Sequence, residues 1–136
     1  MTAKEKFGYW KSYAERDLDA AEAMFETGRW FYVLFMCQQA VEKLVKGLYT
    51  IHVGEEPPKI HNIEHLADRI EDCSSISFDK EVRDLLRTLT KYYIADRYPD
   101  FISKTGEQAS KGEASDVLHR TREVFEWLLT LSLLEN

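Results

Sequence analysis

The stretch FMCQQAVEKLVK, residues 35–46, decides the fold. Its apolar residues recur at helical spacing, and polar residues stand among them. These polar residues are Gln38, Gln39, Glu42, Lys43 and Lys46. Buried polar groups need hydrogen-bonding or ionic partners, because an unpaired one costs free energy. The stretch therefore predicts a buried helix that carries a polar cluster.

The pattern around this stretch predicts a central helix that follows a long first helix. Residues 30–53 are apolar almost all round at first and then on a narrower stripe, which indicates a helix buried by its neighbours. Thr2 and Glu5 have the spacing of a capping box, and the helical period after them stops at Gly28. The first helix is therefore predicted over about 3–27.

The rest of the chain predicts three more helices. After a proline break, Asn62 is placed to cap a short helix. A fourth helix is predicted over about 78–95, and Ser110 with Glu113 gives another capping-box spacing before a last helix that reaches nearly to the C-terminus. Because short connections make neighbouring helices antiparallel, the expected fold is all-α, an up-and-down four-helix bundle with an additional short helix.

The last helix carries more apolar surface than one face of a bundle ordinarily uses. Its large apolar residues are Phe125, Trp127, Leu128, Leu129, Leu131, Leu133 and Leu134. They predict either a surface for a partner or the layer that closes the monomer core, and the sequence leaves both open.

Length and charge limit the classes of function. The chain has 136 residues, a net charge of −6 and a pI near 5.2, which predicts one domain over 1–136 and argues against a protein whose whole surface binds nucleic acid. No apolar run approaches the length of a membrane span, and the N-terminus lacks the apolar core of a signal peptide. Cys37 and Cys73 match no metal spacing or disulfide framework. We expect a reduced cytoplasmic protein with no cofactor and no metal.

Four groups of residues together resemble the HEPN domain, a small helical module named for higher eukaryotes and prokaryotes. They are YAERDL at 13–18, CQQAVEK at 37–43, His61-Asn62, and RYPD at 97–100. Their order and approximate spacing are similar to those of stand-alone prokaryotic members, and the resemblance extends over nearly the whole chain.

The resemblance implies a helical bundle that commonly forms homodimers and is often encoded beside a minimal nucleotidyltransferase. Many members are metal-independent endoribonucleases, whose site contains an arginine followed four to six residues later by a histidine. No arginine of this chain has a histidine at that spacing. Metal-free cleavage of RNA needs a base for the ribose 2′-hydroxyl, an acid for the leaving oxygen and a cation for the phosphorane. Arg97 could supply the cation, and His61 could supply the acid or the base.

The resemblance also groups the candidate ligand-binding residues. Asp17, Lys43, His61 and Arg97 belong to the shared motifs, and we expect them to converge at one end or flank of the bundle. Asp17 falls on or near the apolar face of the first helix, so its carboxylate needs a cation or hydrogen-bond donors. The alternative is a buried ion-pair network that fixes the order of the helices.

Aromatic residues near Arg97 suit a nucleotide. Tyr92, Tyr93 and Tyr98 could stack on a base while the guanidinium binds phosphate. Alternatively, Tyr92 and Tyr93 lie at the core edge of the fourth helix and Tyr98 packs the turn. In some toxin–antitoxin pairs of this family the nucleotidyltransferase adds AMP to a tyrosine of its HEPN partner, which makes Tyr98 a candidate for modification.

Two functions of different class follow. The first is a dimeric binding module that associates with a minimal nucleotidyltransferase and binds nucleotide or RNA near Arg97, within a toxin–antitoxin pair. The second is a metal-independent endoribonuclease, a toxin, that uses Arg97 and His61 as an atypical site. A structural dimer with no ligand is a third and simpler interpretation.

Overall fold

Five α-helices form the described part of the chain in a computed structural model, which describes residues 1–93 and 109–134. Their bounds are α1 Ala3–Glu26, α2 Trp30–His52, α3 Ile63–Cys73, α4 Lys80–Thr90 and α5 Lys111–Leu131. These two ranges contain no strand, which confirms the all-α prediction. None of the helices described is both long enough and apolar enough to cross a membrane.

Two contacts show that α1 and α2 run in opposite directions. Asp17 contacts Lys43, and Trp10, nearer the start of α1, lies against Gly47, nearer the end of α2. The connection between the two helices is short and turns at Gly28, whose φ of 75° lies in the left-handed region that glycine adopts without strain. The short connection and the antiparallel pairing agree with the sequence-based prediction.

α4 and α5 also run in opposite directions. Phe78, just before α4, packs edge to face against Trp127 near the end of α5, with ring centroids 5.6 Å apart. Tyr92, just after α4, donates its hydroxyl proton to the Glu113 carboxylate near the start of α5, at 2.8 Å. The two ends of α4 therefore meet opposite ends of α5.

α2 and α5 run in the same direction. His52 Nε2 lies 2.9 Å from the carbonyl oxygen of Leu131, so the two helices end side by side. Further from those ends, the Thr121 hydroxyl of α5 lies near the Cys37 thiol of α2. Helices α1, α2, α4 and α5 therefore alternate in direction and form the bundle, and α3 is the additional helix, although α3 and α4 both have 11 residues. This is the predicted bundle.

α2 is the central helix, as its apolar pattern predicts. All four other helices pack on it. Most of its residues are buried, and Leu34, Leu44 and Leu48 are among the largest side chains that are wholly buried. The burial of its apolar surface is the main stabilising term for the bundle.

Side chains cap the helices at the predicted places. Thr2 and Glu5 form a complete capping box at the start of α1. The Asn62 side chain accepts a backbone N–H of the first turn of α3, and Ser110 accepts the N–H of Glu113 in α5. These bonds satisfy N–H groups that have no partner inside the helix.

α4 is shorter than the predicted span of about 78–95. It begins after Asp79, whose side chain accepts a first-turn N–H at 2.9 Å, so Asp79 is the N-cap and stands before the helix. It ends at Thr90, whose hydroxyl donates to a carbonyl of the preceding turn and accepts the N–H of Ile63. The end of α4 thus coincides with a contact to the start of α3. The helical period of the sequence alone would continue α4 beyond this point.

The apolar surface of α5 mostly closes the core. Trp127 and Leu129 are partly buried, whereas Leu133 and Leu134, just beyond the helix, are 81% and 48% exposed. The residues of this group that are buried in the core are Phe125, Leu128 and Leu131. The core-closing interpretation therefore applies to the helix itself, and the exposed leucines follow it.

Candidate functional site

A buried carboxylate in α2 is the centre of the polar cluster. Glu42 is only 6% exposed, and Gln38 Nε2 donates to its Oε1 at 2.7 Å. Lys46 Nζ lies 3.1 Å from its Oε2. Gln38, Glu42 and Lys46 follow one another at intervals of four residues, and helical geometry puts such residues on one face. Each of the two buried charges therefore has an ionic partner.

A chain of amide hydrogen bonds extends this cluster toward the surface. Gln38 is wholly buried, and its Oε1 accepts a hydrogen bond of 2.6 Å from Gln39 Nε2. Gln39 itself is partly exposed. The Glu42 carboxylate is thus held by a donor whose own orientation is fixed, since the acceptor end of the Gln38 amide is also occupied.

His61 reaches the same carboxylate from the loop between α2 and α3. Its Nδ1 lies 3.1 Å from both Glu42 carboxylate oxygens. An ionised carboxylate only accepts hydrogen bonds, so Nδ1 donates and Nε2 is the nitrogen left for another partner. The imidazole can take up or release a proton at Nε2 while Glu42 fixes the orientation of the ring.

Tyr93 forms one side of His61. The two rings are stacked, with centroids 3.6 Å apart and planes inclined by 14°. Tyr93 follows the last residue of α4 by three positions, and His61 precedes α3 by two. The contact therefore joins the end of one helix to the beginning of another, and it leaves the His61 side chain about one third exposed, at 34%.

An open cavity of about 450 Å³ lies beside this stack. The described residues that line it are Lys59, Ile60, His61, Asn62, His65, Thr90 and Tyr93. None of these lining residues is acidic, although acidic residues outnumber Lys and Arg by 24 to 18 in the whole chain. α3 also begins here, and the positive end of a helix dipole favours anions. The local charge suits an anionic ligand.

A second ion pair lies on the side of α2 that faces α1. Lys43 Nζ lies 2.5 Å from Asp17 Oδ2, and the two side chains are 29% and 16% exposed. Glu42 and Lys43 are adjacent in α2 and leave it in directions about 100° apart. Asp17, Lys43, His61 and Arg97 are the residues predicted to converge. Of these, Asp17 pairs with Lys43, whereas His61 contacts Glu42, which is not among them.

The remaining candidates divide between the cavity, the core and the part of the chain that is not described. Arg97 and Tyr98 lie outside the described residues, and their place at the site stays a prediction. Tyr92 is buried against α5, where burial and its hydrogen bond to Glu113 raise its pKa. Tyr93 lines the cavity instead. Tyr92 therefore lies at the edge of the core, as the second interpretation of these tyrosines states, and not in the cavity.

Sequence reasoning recognised that Glu42 needed partners but did not assign it to the site. The four-residue spacing from Gln38 through Glu42 to Lys46 was the available signal. The contact with His61 has no such signal, because 19 positions that include a loop separate the two residues. In the described ranges, no group of three or more potential metal ligands comes together.

Comparison with known proteins finds one family and two similar structures. The family model described as HEPN domain matches residues 7–131. The chain is similar to ST0689, an archaeal HEPN homologue, with 25% sequence identity and a TM-score of 0.74 over 93% of this chain and 97% of that one. It is also similar to TT1696 from Thermus thermophilus, with 22% identity and a TM-score of 0.76 over 93% and 98%. A search of curated proteins finds no match.

Proposed function

The chain belongs to the HEPN family, and from this premise we propose that it is a dimeric binding module for nucleotide or RNA. The proposed ligand site is the cavity beside His61 and Tyr93. Arg97 and Tyr98 belong to the proposal as further binding residues, because they follow Tyr93 closely in the chain. Asp17 and Lys43 belong to it as the pair that holds α1 against α2.

The observation that carries this proposal is the lining of the cavity. A chain with a net charge of −6 lines this cavity with a lysine, two histidines and a stacked tyrosine, and with no acidic residue among those described. A nucleotide has an anionic phosphate and an aromatic base, so it matches both halves of this lining. Base stacking on an aromatic side chain contributes about 1–3 kcal/mol per base.

Different side chains of the cavity are expected to contact the base and the phosphate of a nucleotide. Tyr93 offers a stacking surface, Lys59 offers a cationic group for phosphate, and His65 offers an imidazole that can hydrogen-bond to it. Asn62 and Thr90 are less available, because the Asn62 side chain caps α3 and the Thr90 hydroxyl bonds to two backbone groups. His61 Nε2 adds a donor or an acceptor according to the protonation of the ring.

Two protein partners complete the proposal. They are a second copy of the chain and a minimal nucleotidyltransferase, with which it would form a toxin–antitoxin pair in the cytoplasm. Co-expression with the nucleotidyltransferase of an adjacent reading frame tests the pairing, and we expect the two proteins to purify together. Growth arrest by this chain alone, relieved by the partner, is the result expected of a toxin.

The Glu42–His61 contact favours a metal-independent endoribonuclease as a second candidate. A carboxylate that fixes the tautomer and orientation of an imidazole is the arrangement that general acid–base catalysis uses. Here His61 Nε2 would take the proton of the ribose 2′-hydroxyl as its oxygen attacks the phosphorus, and Arg97 would stabilise the charge on the phosphorane. The bond to the 5′-oxygen would then break, and that leaving oxygen would take a proton from water. This function needs both groups, whereas binding alone needs only the cavity.

Binding of labelled RNA to the purified protein tests the first function. Fluorescence anisotropy with a short fluorescein-labelled single-stranded RNA, and competition by AMP, are measured in chelator. Removing one stacking surface costs about 1–3 kcal/mol, so we expect Tyr93→Leu to raise the Kd about 5- to 100-fold. His119→Ala, on the exposed face of α5, is the matched control and should leave the Kd unchanged.

The same samples separate the two functions. Intact RNA on a denaturing gel, with binding weakened in Tyr93→Leu, supports the binding module. Cleavage that disappears in both His61→Ala and Arg97→Ala supports the nuclease. Equal binding by the native protein and all variants would exclude the cavity as the ligand site, and no binding by the native protein would exclude this ligand class.

A further inference from the structure

α1 has an outward face with aromatic side chains that the monomer does not bury. Phe7, Ala14 and Ala21 are the buried residues of the opposite face. On the outward side, Tyr9 and Tyr13 are 61% and 51% exposed and lie one helical turn apart. Large apolar side chains grouped on a surface mark an interaction site.

The charges of α1 are divided between its two ends. Residues 3–14 contain three lysines and one glutamate, whereas residues 15–26 contain five carboxylates and one arginine. The first half of the helix is therefore positive and the second half is negative. Tyr13 lies near the boundary between the halves.

Several of these charges are not used within the described part of the monomer. Lys6 pairs with Glu56, Asp17 with Lys43, and Glu22 with Arg122. In residues 1–93 and 109–134, the seven other charged residues of α1 form no ion pair. They are Lys4, Glu5, Lys11, Glu15, Arg16, Asp19 and Glu26.

We infer that the outward face of α1 is the homodimer interface, packed antiparallel against α1 of a second copy; this rests on the homodimer of the proposed function. A two-fold axis can relate two identical helices in a parallel or an antiparallel sense. A parallel pair would bring like-charged halves together, whereas an antiparallel pair brings the positive half of each helix against the negative half of the other. The charge pattern of α1 therefore selects the antiparallel arrangement.

The same pattern indicates a register. With Tyr13 at the two-fold axis, Lys11 faces the partner's Glu15, and Glu15 faces the partner's Lys11. By helical spacing, Lys4, Lys11 and Glu15 share one edge of the outward face, and Tyr9 and Tyr13 share the other. In an antiparallel pair each edge meets its own copy, so aromatic residues pack together and opposite charges meet.

A charge-exchange experiment tests this interface by sedimentation velocity at several protein concentrations. One variant, Lys11→Glu, places a carboxylate opposite the partner's Glu15, and another, Glu15→Lys, places a cation opposite the partner's Lys11. We expect each variant alone to raise the dimer Kd at least about tenfold, and an equimolar mixture to form heterodimers with an affinity near the native one. Lys111→Glu changes the net charge as much as Lys11→Glu does, at an exposed site on α5, and should leave the dimer unchanged.

Removing the aromatic groups gives an independent test. Tyr9→Ser with Tyr13→Ser should raise the dimer Kd at least about tenfold without unfolding the protein, because both side chains are exposed. If this variant instead stays dimeric but loses labelled RNA, the face binds nucleic acid and the inference is wrong.

Each other outcome also has a definite meaning. A native dimer that none of the α1 variants weakens would overturn the α1 interface and leave the homodimer standing. A native protein that is monomeric at about 100 μM would overturn both. Dissociation of the charge control to the same extent would show a general effect of net charge and would equally overturn the α1 interface. RNA binding at the cavity is measured separately, so its failure is distinguishable from all of these.

Discussion

The two sides of α2 hold their charges in different ways. On the side that faces α1, Lys43 and Asp17 form one ion pair, and both side chains keep some contact with water. On the side that faces His61, Glu42 is 6% exposed, and three side chains surround its carboxylate. Lys43 thus forms an ion pair between two helices, whereas Glu42, the residue before it, belongs to a buried network of hydrogen bonds and charges.

This difference teaches what burial demands of a charge. A partly exposed ion pair needs one good partner, because water solvates what the partner does not. A buried carboxylate needs several donors, because their combined interactions must offset the cost of removing it from water. The number of partners around Glu42 is therefore as informative as their identity, and the two carboxylates should respond unequally to substitution.

The largest expected effect is at Glu42, on the side of α2 that faces His61. Glu42→Gln leaves Lys46 as a buried cation without its ionic partner, which should lower the free energy of unfolding by about 3 kcal/mol. Asp17→Asn, on the other side, leaves a partly exposed Lys43 and should cost about 1 kcal/mol. Urea denaturation of the two variants measures the difference directly.

A double variant separates lost charge pairing from lost packing. Glu42→Leu with Lys46→Leu removes both buried charges together, and it should recover most of the stability lost in Glu42→Gln, because a buried ion pair can often be replaced by apolar residues. Equal losses in Glu42→Gln and Asp17→Asn would contradict the distinction between the two sides of α2.

A smaller effect is expected where α1 approaches α2 most closely. A Cβ at Gly47 would lie 2.9 Å from Trp10 Cβ, closer than side chains pack, so Gly47→Ala must push α1 away. Such overpacking costs about 1–3 kcal/mol. Gly8→Ala is the matched control, since a Cβ there meets no atom within 4 Å, and it should stabilise α1 by up to about 1 kcal/mol because alanine favours helices.

The sign of the change in stability caused by Gly47→Ala shows whether α1 and α2 are too closely packed at Gly47 to admit a Cβ. If both alanine variants stabilise the protein in urea denaturation, helix propensity outweighs packing at Gly47, and the side of α2 that faces α1 is less tightly packed than its geometry indicates. A loss at Gly47 with a gain at Gly8 would confirm that the close contact of Gly47 with Trp10 holds this side together.

The sequence predicts the fold well because local signals agree with it. Thr2, Asn62 and Ser110 cap the helices where their spacing indicates, and the apolar run of α2 predicts its central place. The prediction fails at the end of α4, where Thr90 bonds to the N–H of Ile63. That contact joins two helices, so no pattern within residues 78–95 could indicate it.

The candidate site is predictable only in part. The polar positions of α2 are visible in the sequence, and so is the need of Asp17 for a cation. The sequence does not show that Lys43 pairs with α1 while Glu42 contacts His61, because these contacts depend on which element packs against each side of α2. The stack of His61 on Tyr93 joins two loops whose paths follow from the packing of three helices. Neither residue type nor spacing encodes that contact.

The smallest expected effect is at Cys37, on the side of α2 that faces α5. The thiol is buried, and burial raises its pKa to about 12, with the neighbouring Thr121 hydroxyl opposing the shift. In the unfolded chain a cysteine titrates at about pH 8.5. Unfolding therefore releases a proton above that pH, and the stabilisation present at lower pH is lost as the pH rises toward 12.

Stability curves near neutral and alkaline pH measure this loss. Between about pH 7 and about pH 9 the native protein should lose about 1 kcal/mol of unfolding free energy through Cys37, and Cys37→Ala should not show that component. Cys73→Ser is the matched control, because Cys73 is exposed; it should leave the pH dependence of the native protein in place. If Cys37→Ala loses as much stability as the native protein over this range, Cys37 does not cause the loss, and water reaches the thiol. The side of α2 that faces α5 would then be less completely buried than the structure indicates.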